Sequence, residues 1–160
     1  MSSTKTTGTT TGTIGQVDVR GPRFVAWITT AVLVIVLLAS GVSAPAAAVI
    51  LALQAVVFAI GAVGGPQRHP YGLVFARAVA PRLGPVRERE PVAPLKFAQL
   101  VGFIFAAIGV VGFAAGLTLL GIIATAAALA AAFLNAAFGI CLGCQLYPLV
   151  ARLRTPAPSR

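Results

Sequence analysis

The sequence predicts an all-α integral membrane protein whose four transmembrane helices pair as two hairpins in a small bundle, with both termini cytoplasmic. Of the 160 residues, 58% are hydrophobic and only 9% are charged, too few charges to cover the surface of a soluble domain. Two long stretches carry no charge at all, and a bilayer core takes about 20 helical residues per crossing. The basic residues lie between and beyond these stretches. We therefore divide the chain into a tail (residues 1–16), a membrane domain (17–154) and a short tail (155–160).

The N-terminal segment MSSTKTTGTTTGTIGQ consists mainly of Thr, Ser and Gly. Such a composition cannot bury enough apolar surface to fold, so we expect residues 1–16 to be disordered. The apolar run that follows is as long as a full crossing, which favours an uncleaved membrane anchor over a secretory signal peptide.

The first uncharged stretch runs from residue 24 to residue 67 and is long enough for two crossings. The segment GVSAP (residues 41–45) supplies turn residues near its middle. We predict helices at residues 24–42 and 46–63.

A basic, proline-rich loop is predicted at residues 64–96. Within it, YGLVFARAVAPRL (residues 71–83) fits either a short helix on the membrane surface or a solvated loop, and the pattern does not decide between them. The segment PVREREPVAP (residues 85–94) is rich in proline and charge, which favours an extended linker.

The second uncharged stretch runs from residue 97 to residue 151, and AAGLT (residues 114–118) is its expected turn. We predict helices at residues 97–117 and 119–140. Two crossings leave a surplus, which falls on FGICLGCQLYP (residues 138–148). Cys141 and Cys144 are therefore expected at or just beyond the end of the fourth helix, near the lipid headgroups.

All 12 Lys and Arg residues lie in the N-terminal segment, the central loop and the C-terminal tail, and none lies in either hairpin turn. Basic residues stay on the cytoplasmic side, so both termini and the central loop are expected in the cytoplasm and the turns outside the plasma membrane. Thiols on that side are kept reduced, which argues against a permanent disulfide but allows a transient one. The net charge of +9 is explained by anionic lipid, and no nucleic-acid partner is expected.

Small residues are placed where helices could pack closely. Gly112 with Gly116 and Gly61 with Gly65 are small-xxx-small pairs, which favour a compact bundle and leave a homo-oligomer open. The predicted spans hold no ionisable side chain, which counts against ion-coupled transport. Their amides are Gln54, Gln99 and Asn135; we expect Gln54 and Asn135 to bond across helices, or alternatively to line a small polar pocket.

The two cysteines are the only ones in the chain. If residues 141–144 are helical, the thiols share a face and can reach each other. At the end of a helix the dipole would raise rather than lower the thiol pKa, so activation would have to come from nearby arginines. His69, beside Arg68, is expected at the surface, and no metal or cofactor is expected because further ligands are lacking. A redox or sulfur role and a role as small apolar residues both remain open.

Four blocks of the sequence resemble the bacterial family named domain of unknown function 4395: VDVRGPRFVAW (17–27), RHPYGLVFARAVAPRLGP (68–85), PLKFAQLVGFIFAAIGVVGF (94–113) and LNAAFGICLGCQLY (134–147). The resemblance implies a multi-pass membrane protein common in actinobacteria, whose genes often lie near those of thioredoxin-like proteins and rhodanese-type sulfurtransferases. It carries over two groups of residues: Asn135, Cys141, Gly143, Cys144 and Tyr147, then Arg23, Arg68, His69, Pro70 and Arg82. The acidic stretch associated with members of the family is replaced here by VREREPVAP, which puts its function in doubt.

The leading hypothesis is a membrane component of a thiol-redox or sulfur-transfer system, in which Cys141 and Cys144 exchange with a soluble partner. Cys144, farther from the membrane, is the expected exposed thiol. The alternative is a non-catalytic anchor that holds a thioredoxin-like or sulfurtransferase partner through its basic loop. A carrier for a small sulfur compound would require several copies, because four helices without an intramembrane charge make a poor transporter.

Overall fold

The computed structural model describes residues 15–154, and within that range four long helices dominate the fold. They are α1 (Arg20–Ser40), α2 (Ala44–Gly64), α4 (Val92–Ala114) and α5 (Thr118–Phe138). Each is long and apolar enough to cross a membrane. The predicted class, an all-α multi-pass membrane protein with four spans, is confirmed. The predictions for residues 1–14 and 155–160 lie outside the described residues.

The first hairpin turns where the sequence predicted. Ser43 is the N-cap of α2, and its side chain accepts a hydrogen bond from the backbone N–H of Ala46 at 3.3 Å. Pro45 follows in the first turn, where its missing N–H costs nothing. The chain therefore leaves α1 and enters α2 within three residues.

The second hairpin is displaced toward the N-terminus relative to the prediction. α4 begins at Val92 rather than at residue 97, because Pro94 is tolerated in a first helical turn and Lys96 can extend its ammonium group toward water. The turn before α5 contains Gly116 with φ of 76°, a left-handed conformation that favours glycine. The central loop is accordingly shorter than the predicted 64–96.

The bundle core lies where α2 packs on α4 and α1 packs on α5, with α4 and α5 also in contact. Its fully buried members are Leu33, Val36, Ala47, Leu51 and Ala106. Close helix approach depends on glycine at Gly112, because a Cβ there would lie 2.6 Å from the backbone nitrogen of Gly121. The packing role expected of that glycine is confirmed, whereas its predicted partner Gly116 forms a turn.

A two-stranded ribbon, which the sequence did not predict, closes one end of the bundle. β1 (Gln16–Asp18) pairs antiparallel with β2 (Arg89–Pro91). Arg20 bridges to Asp18, with Nη2 2.7 Å from Oδ2, and the same nitrogen donates to the carbonyl of Gly84 at 3.1 Å. The guanidinium holds the pKa of the Asp18 carboxyl below its usual value. The N-terminal segment and the central loop are thus joined at the same end of the bundle.

The segment at residues 71–83, for which the sequence allowed a short surface helix or a solvated loop, is helical. It begins as α3 (Pro70–Val74), continues as one π-helical turn (Phe75–Val79) and ends in a 3-10 turn (Ala80–Arg82). Phe75 is buried and stacks at 5.6 Å against Phe24 of α1, which anchors the segment to the bundle.

After α5 the structure departs from the sequence prediction. α5 ends at Phe138, and Gly139 takes a left-handed conformation with its N–H bonded to the carbonyl of Asn135. A sixth helix, α6 (Leu142–Arg154), follows almost at once. The surplus of residues is therefore a helix. The cysteine pair lies just beyond the end of the fourth span, as predicted, and at the start of α6.

Candidate functional site

Cys141 and Cys144 form a disulfide, with their Cα atoms 5.2 Å apart. Cys141 is the N-cap of α6: its carbonyl accepts the N–H of Gln145 at 3.0 Å, and its sulfur accepts the N–H of Cys144 at 3.2 Å. The predicted reach between the two sulfurs is confirmed. The expectation that the pair closes a helix is wrong, because Gly139 ends α5 before the first cysteine.

The reversed placement changes the electrostatics of the pair. Unpaired N–H groups and the positive end of the dipole lie at a helix N-terminus, where they stabilise a thiolate. Reduction of the disulfide would leave Cys141 as the thiol that is best placed to ionise. Arginine neighbours are then no longer required to activate it.

α6 is held against the N-terminal part of α4. A Cβ on Gly143 would lie 2.6 Å from the Cα of Ala98, so the two helices touch at this glycine. Four residues farther along, the rings of Tyr147 and Phe97 meet edge to face with centroids 6.0 Å apart. Gly143 and Tyr147 therefore fix the position of the helix that carries the cysteines.

Cys141 also lies in the wall of a half-open cavity of about 690 Å³. The cavity extends between α1, α4 and α5 and is covered at one end by α3 and α6. Its wall is mainly apolar, with Val25, Phe105 and Ala128 among its members. Asn135 and Gly143 share the wall, so the predicted polar pocket includes Asn135 but not Gln54.

His69 is a second polar member of this wall and is only 2% exposed. Its surface placement, expected from the sequence, is wrong. Burial lowers the pKa of the imidazole from 6.5 to about 4, an effect that the adjacent Gln99 amide only partly opposes. Neither ring nitrogen of His69 nor Oε1 of Gln99 has a hydrogen-bond partner of standard geometry among residues 15–154.

The close approach of His69 to α2 and α4 depends on Gly61. A Cβ at this position would lie 2.5 Å from Cδ2 of His69 and 3.0 Å from Cγ of Gln99. The glycine predicted to serve helix packing therefore makes room for two polar side chains.

Tyr71 connects His69 to α2. Its ring lies 5.4 Å from the imidazole, and its hydroxyl donates to Oε1 of Gln54 at 2.9 Å. Gln54 is 1% exposed. The hydrogen bond expected for its side chain is made, but with Tyr71 of α3 rather than with another membrane helix. Burial raises the pKa of the Tyr71 hydroxyl, which keeps it a donor.

The basic residues carried over from the family resemblance lie elsewhere. Nη2 of Arg23 is 3.4 Å from the carbonyls of Ala136 and Ala137 and so caps the C-terminus of α5. Arg68 and Arg82 are exposed and are not part of the cavity wall. Pro70 starts α3. The structure thus brings Cys141, Gly143, Asn135 and His69 to one cavity and separates them from these arginines.

Gln99, Gly61 and Tyr71 were not predicted as site residues. The available signal for Gln99 was an amide within an apolar run, which must find a polar partner. Nothing in the spacing of Gly61 or Tyr71 indicates that they meet His69, because that contact forms only when α3 folds back onto α2 and α4.

The fold and the site together define a multi-pass membrane protein with four spans and a disulfide at the N-terminus of α6, beside a half-open cavity. A family profile described as Domain of unknown function (DUF4395) matches residues 17–152. The chain belongs to this family. No curated protein and no solved structure matches it.

Proposed function

We propose that the protein is the membrane component of a thiol-redox or sulfur-transfer system and that Cys141 and Cys144 exchange with a soluble thioredoxin-like or rhodanese-type partner. The observation that carries this proposal is the position of Cys141 as the N-cap of α6, disulfide-bonded to Cys144. Low-pKa cysteines are found in this environment, and structural buried cysteines are not. Both cysteines are partly exposed, so a partner can reach them.

The exchange is a two-step transfer. A thiolate of the partner attacks one sulfur of the Cys141–Cys144 disulfide, the S–S bond breaks, and the second cysteine leaves as a thiolate. The second thiol of the partner then attacks the mixed disulfide and releases the membrane protein as a dithiol. Two electrons and two protons pass from the partner to the cysteine pair, and the reverse sequence returns them.

The charge distribution supports a cytoplasmic partner. β1, β2 and α6 lie at one end of the bundle, and this is the end that carries the basic residues. Basic flanks remain on the cytoplasmic side of a plasma membrane, so we assign the cysteine pair, the central loop and both termini to that side.

Trapping tests the proposal and the role of each cysteine. With Cys144→Ser, the Cys141 thiolate can still attack the disulfide of an oxidised partner, but the membrane protein has no second thiol to resolve the mixed disulfide. A thioredoxin-like protein should therefore accumulate on it. Cys141→Ser should capture less, because Cys144 lacks the N-cap position, where the N–H groups of the helix stabilise a thiolate. Covalent adducts are measured on non-reducing gels and identified by mass spectrometry.

The double variant Cys141→Ser/Cys144→Ser is the control and should capture nothing. If neither single variant forms an adduct while both thiols react freely with maleimide, exchange is excluded. If the double variant still recruits the soluble partner and supports its function, the protein is a scaffold. Equal capture by both single variants would overturn the assignment of Cys141 as the attacking thiol.

A further inference from the structure

The cavity beside Cys141 contains polar groups that the protein itself satisfies incompletely. His69 is 2% exposed and lies beside the Gln99 amide, yet among the described residues neither of its nitrogens, nor Oε1 of Gln99, has a hydrogen-bond partner of standard geometry. An unsatisfied buried polar group costs about 1–3 kcal/mol. Polar atoms of this kind in an apolar cavity therefore favour a ligand with complementary groups.

These atoms define the hydrogen-bonding pattern of the ligand. A neutral imidazole offers one N–H donor and one acceptor nitrogen, and Gln99 Oε1 is a further acceptor. A carbonyl oxygen can accept from the donor, and a hydroxyl can donate to either acceptor. A molecule whose oxygen is a carbonyl when oxidised and a hydroxyl when reduced can therefore accept from the imidazole N–H in one state and donate to an acceptor in the other.

The rest of the wall favours an apolar, membrane-soluble molecule. Cavities of about 300–1,000 Å³ accommodate small ligands, and this one measures about 690 Å³. On α5 the wall includes Ala131 and the exposed Ala127 within a predicted membrane span. A ligand dissolved in the lipid can therefore enter beside α5 without crossing water.

The presence of Cys141 in the same wall identifies the chemistry. We propose that this cavity binds a lipid-soluble quinone and that the reduced Cys141–Cys144 pair transfers two electrons to it. This inference rests on the thiol exchange proposed above, which would supply the dithiol. The two S–H bonds break, one S–S bond forms, and the two electrons and two protons convert both quinone carbonyls to hydroxyls. The products are the disulfide and the hydroquinone.

Binding is tested first, on the full-length protein in detergent and with the oxidised cysteines in place. Decylubiquinone and menadione serve as benzoquinone and naphthoquinone probes. Trp27, the single tryptophan of the chain, lies on α1, and its quenching by either quinone reports binding. Quenching should saturate, and the probe with the lower half-saturation concentration identifies the preferred ring class.

Two phenylalanine substitutions separate a site from simple partition into the detergent. Ala131→Phe fills the cavity and should raise the half-saturation concentration at least about tenfold, since a factor of ten corresponds to only 1.4 kcal/mol. Ala130→Phe adds the same ring at an exposed neighbouring position outside the wall and should leave quenching unchanged. Ala127→Phe, at an exposed position of the wall, serves if Ala131→Phe does not fold.

Two further variants examine the polar groups and the sulfurs. His69→Phe keeps a ring but removes both nitrogens, and it should weaken binding about tenfold. Cys141→Ser/Cys144→Ser should reduce no quinone. In the reduced wild type, mixed anaerobically with quinone, one hydroquinone should form per disulfide, measured by absorbance and by loss of alkylatable thiols.

The outcomes distinguish this inference from the proposed function. Linear quenching that Ala131→Phe does not alter, binding unaffected by His69→Phe, or a reduced pair that yields no hydroquinone would each overturn the quinone site. The same results together with partner capture by Cys144→Ser would leave thiol exchange intact. Saturable binding and hydroquinone formation without partner capture would uphold the quinone site and refute the soluble partner.

Discussion

At the scale of single residues, one hydrogen bond defines the place of Cys141 in the cap of α6. Its sulfur accepts the N–H of Cys144, the position that a serine or aspartate oxygen takes in an ordinary helix cap. The bond is available only because Gly139 stops α5 and allows a new helix to begin three residues later. Inside a continuous helix, the N–H of Cys144 would be bonded to a backbone carbonyl and could not donate to the sulfur of Cys141.

The buried His69 predicts a pH dependence of stability. Its pKa is about 4 in the folded protein and 6.5 when exposed, so between these values the unfolded state binds more protons and stability falls as the pH is lowered. From pH 7 to pH 5 the loss should be on the order of 2 kcal/mol. Unfolding midpoints in detergent at both pH values measure it.

His69→Gln is the matched variant and should remove most of this pH dependence. The difference between the two proteins isolates the contribution of the histidine, because Glu90 is present in both. Burial raises the pKa of Glu90, so its contribution to stability is lost as the pH rises, which is the opposite sign to that of His69. Tyr71 stays protonated throughout this window, since its pKa is raised. Identical pH profiles for the two proteins would show that His69 is accessible to water.

Residue-level prediction from the sequence succeeded where spacing alone decides geometry. Two cysteines three apart can reach each other in one helical turn, and the disulfide confirms this. The burial of His69 could not be predicted, because it depends on Gly61 and Gln99, which lie on two different helices. A polar residue in a loop is buried only if distant elements close around it.

At the scale of elements, the seat of α6 on α4 positions the cysteine pair. Gly143→Val should displace α6, because even a Cβ at this position would lie 2.6 Å from the Cα of Ala98. Overpacking of this kind costs about 1–3 kcal/mol, enough to reduce the population in which α6 packs against α4 about fivefold or more. Cross-linking between cysteines at positions 97 and 147, in a Cys141→Ser/Cys144→Ser background, measures the fraction of molecules in which α6 packs against α4.

Gly84→Val is the control for this experiment. Gly84 has open space around its Cβ position and no left-handed backbone, so valine should leave the cross-link unchanged. An undiminished cross-link in Gly143→Val would mean that α6 is not held by this contact.

Elements were predictable to the extent that hydropathy determines them. The four spans follow from uncharged stretches of sufficient length, and the Ser43 turn follows from local capping residues. α6 and the ribbon β1–β2 did not follow, since α6 needs the surface of α4 and each strand needs a partner far away in the sequence. Charges also mark helix ends poorly, as α4 begins before Lys96.

At the scale of the whole molecule, the arrangement of charges predicts the topology. Val42 lies in the α1–α2 turn and is 92% exposed, whereas Gly84 lies in the basic central loop. In the Cys141→Ser/Cys144→Ser background, a cysteine at position 42 should react with a membrane-impermeant maleimide on intact cells. A cysteine at position 84 should react only in inverted vesicles.

Labelling after detergent permeabilisation is the control and should modify both positions equally. The reverse pattern would place the cysteine pair outside the cytoplasm. Labelling of both positions on intact cells would mean that the molecule inserts in two orientations.

The ribbon of β1 and β2 imposes an order on biogenesis. Its two strands are the beginning of the membrane domain and the segment just before α4, so β1 leaves the ribosome long before β2 has been made. The first hairpin must enter the bilayer while β1 is still unpaired. Pairing then ties the N-terminal segment to the start of the second hairpin, together with the Arg20 contact to Gly84. The ribbon can therefore form only late in synthesis, and only in chains whose two hairpins leave β1 and β2 on the same side of the membrane.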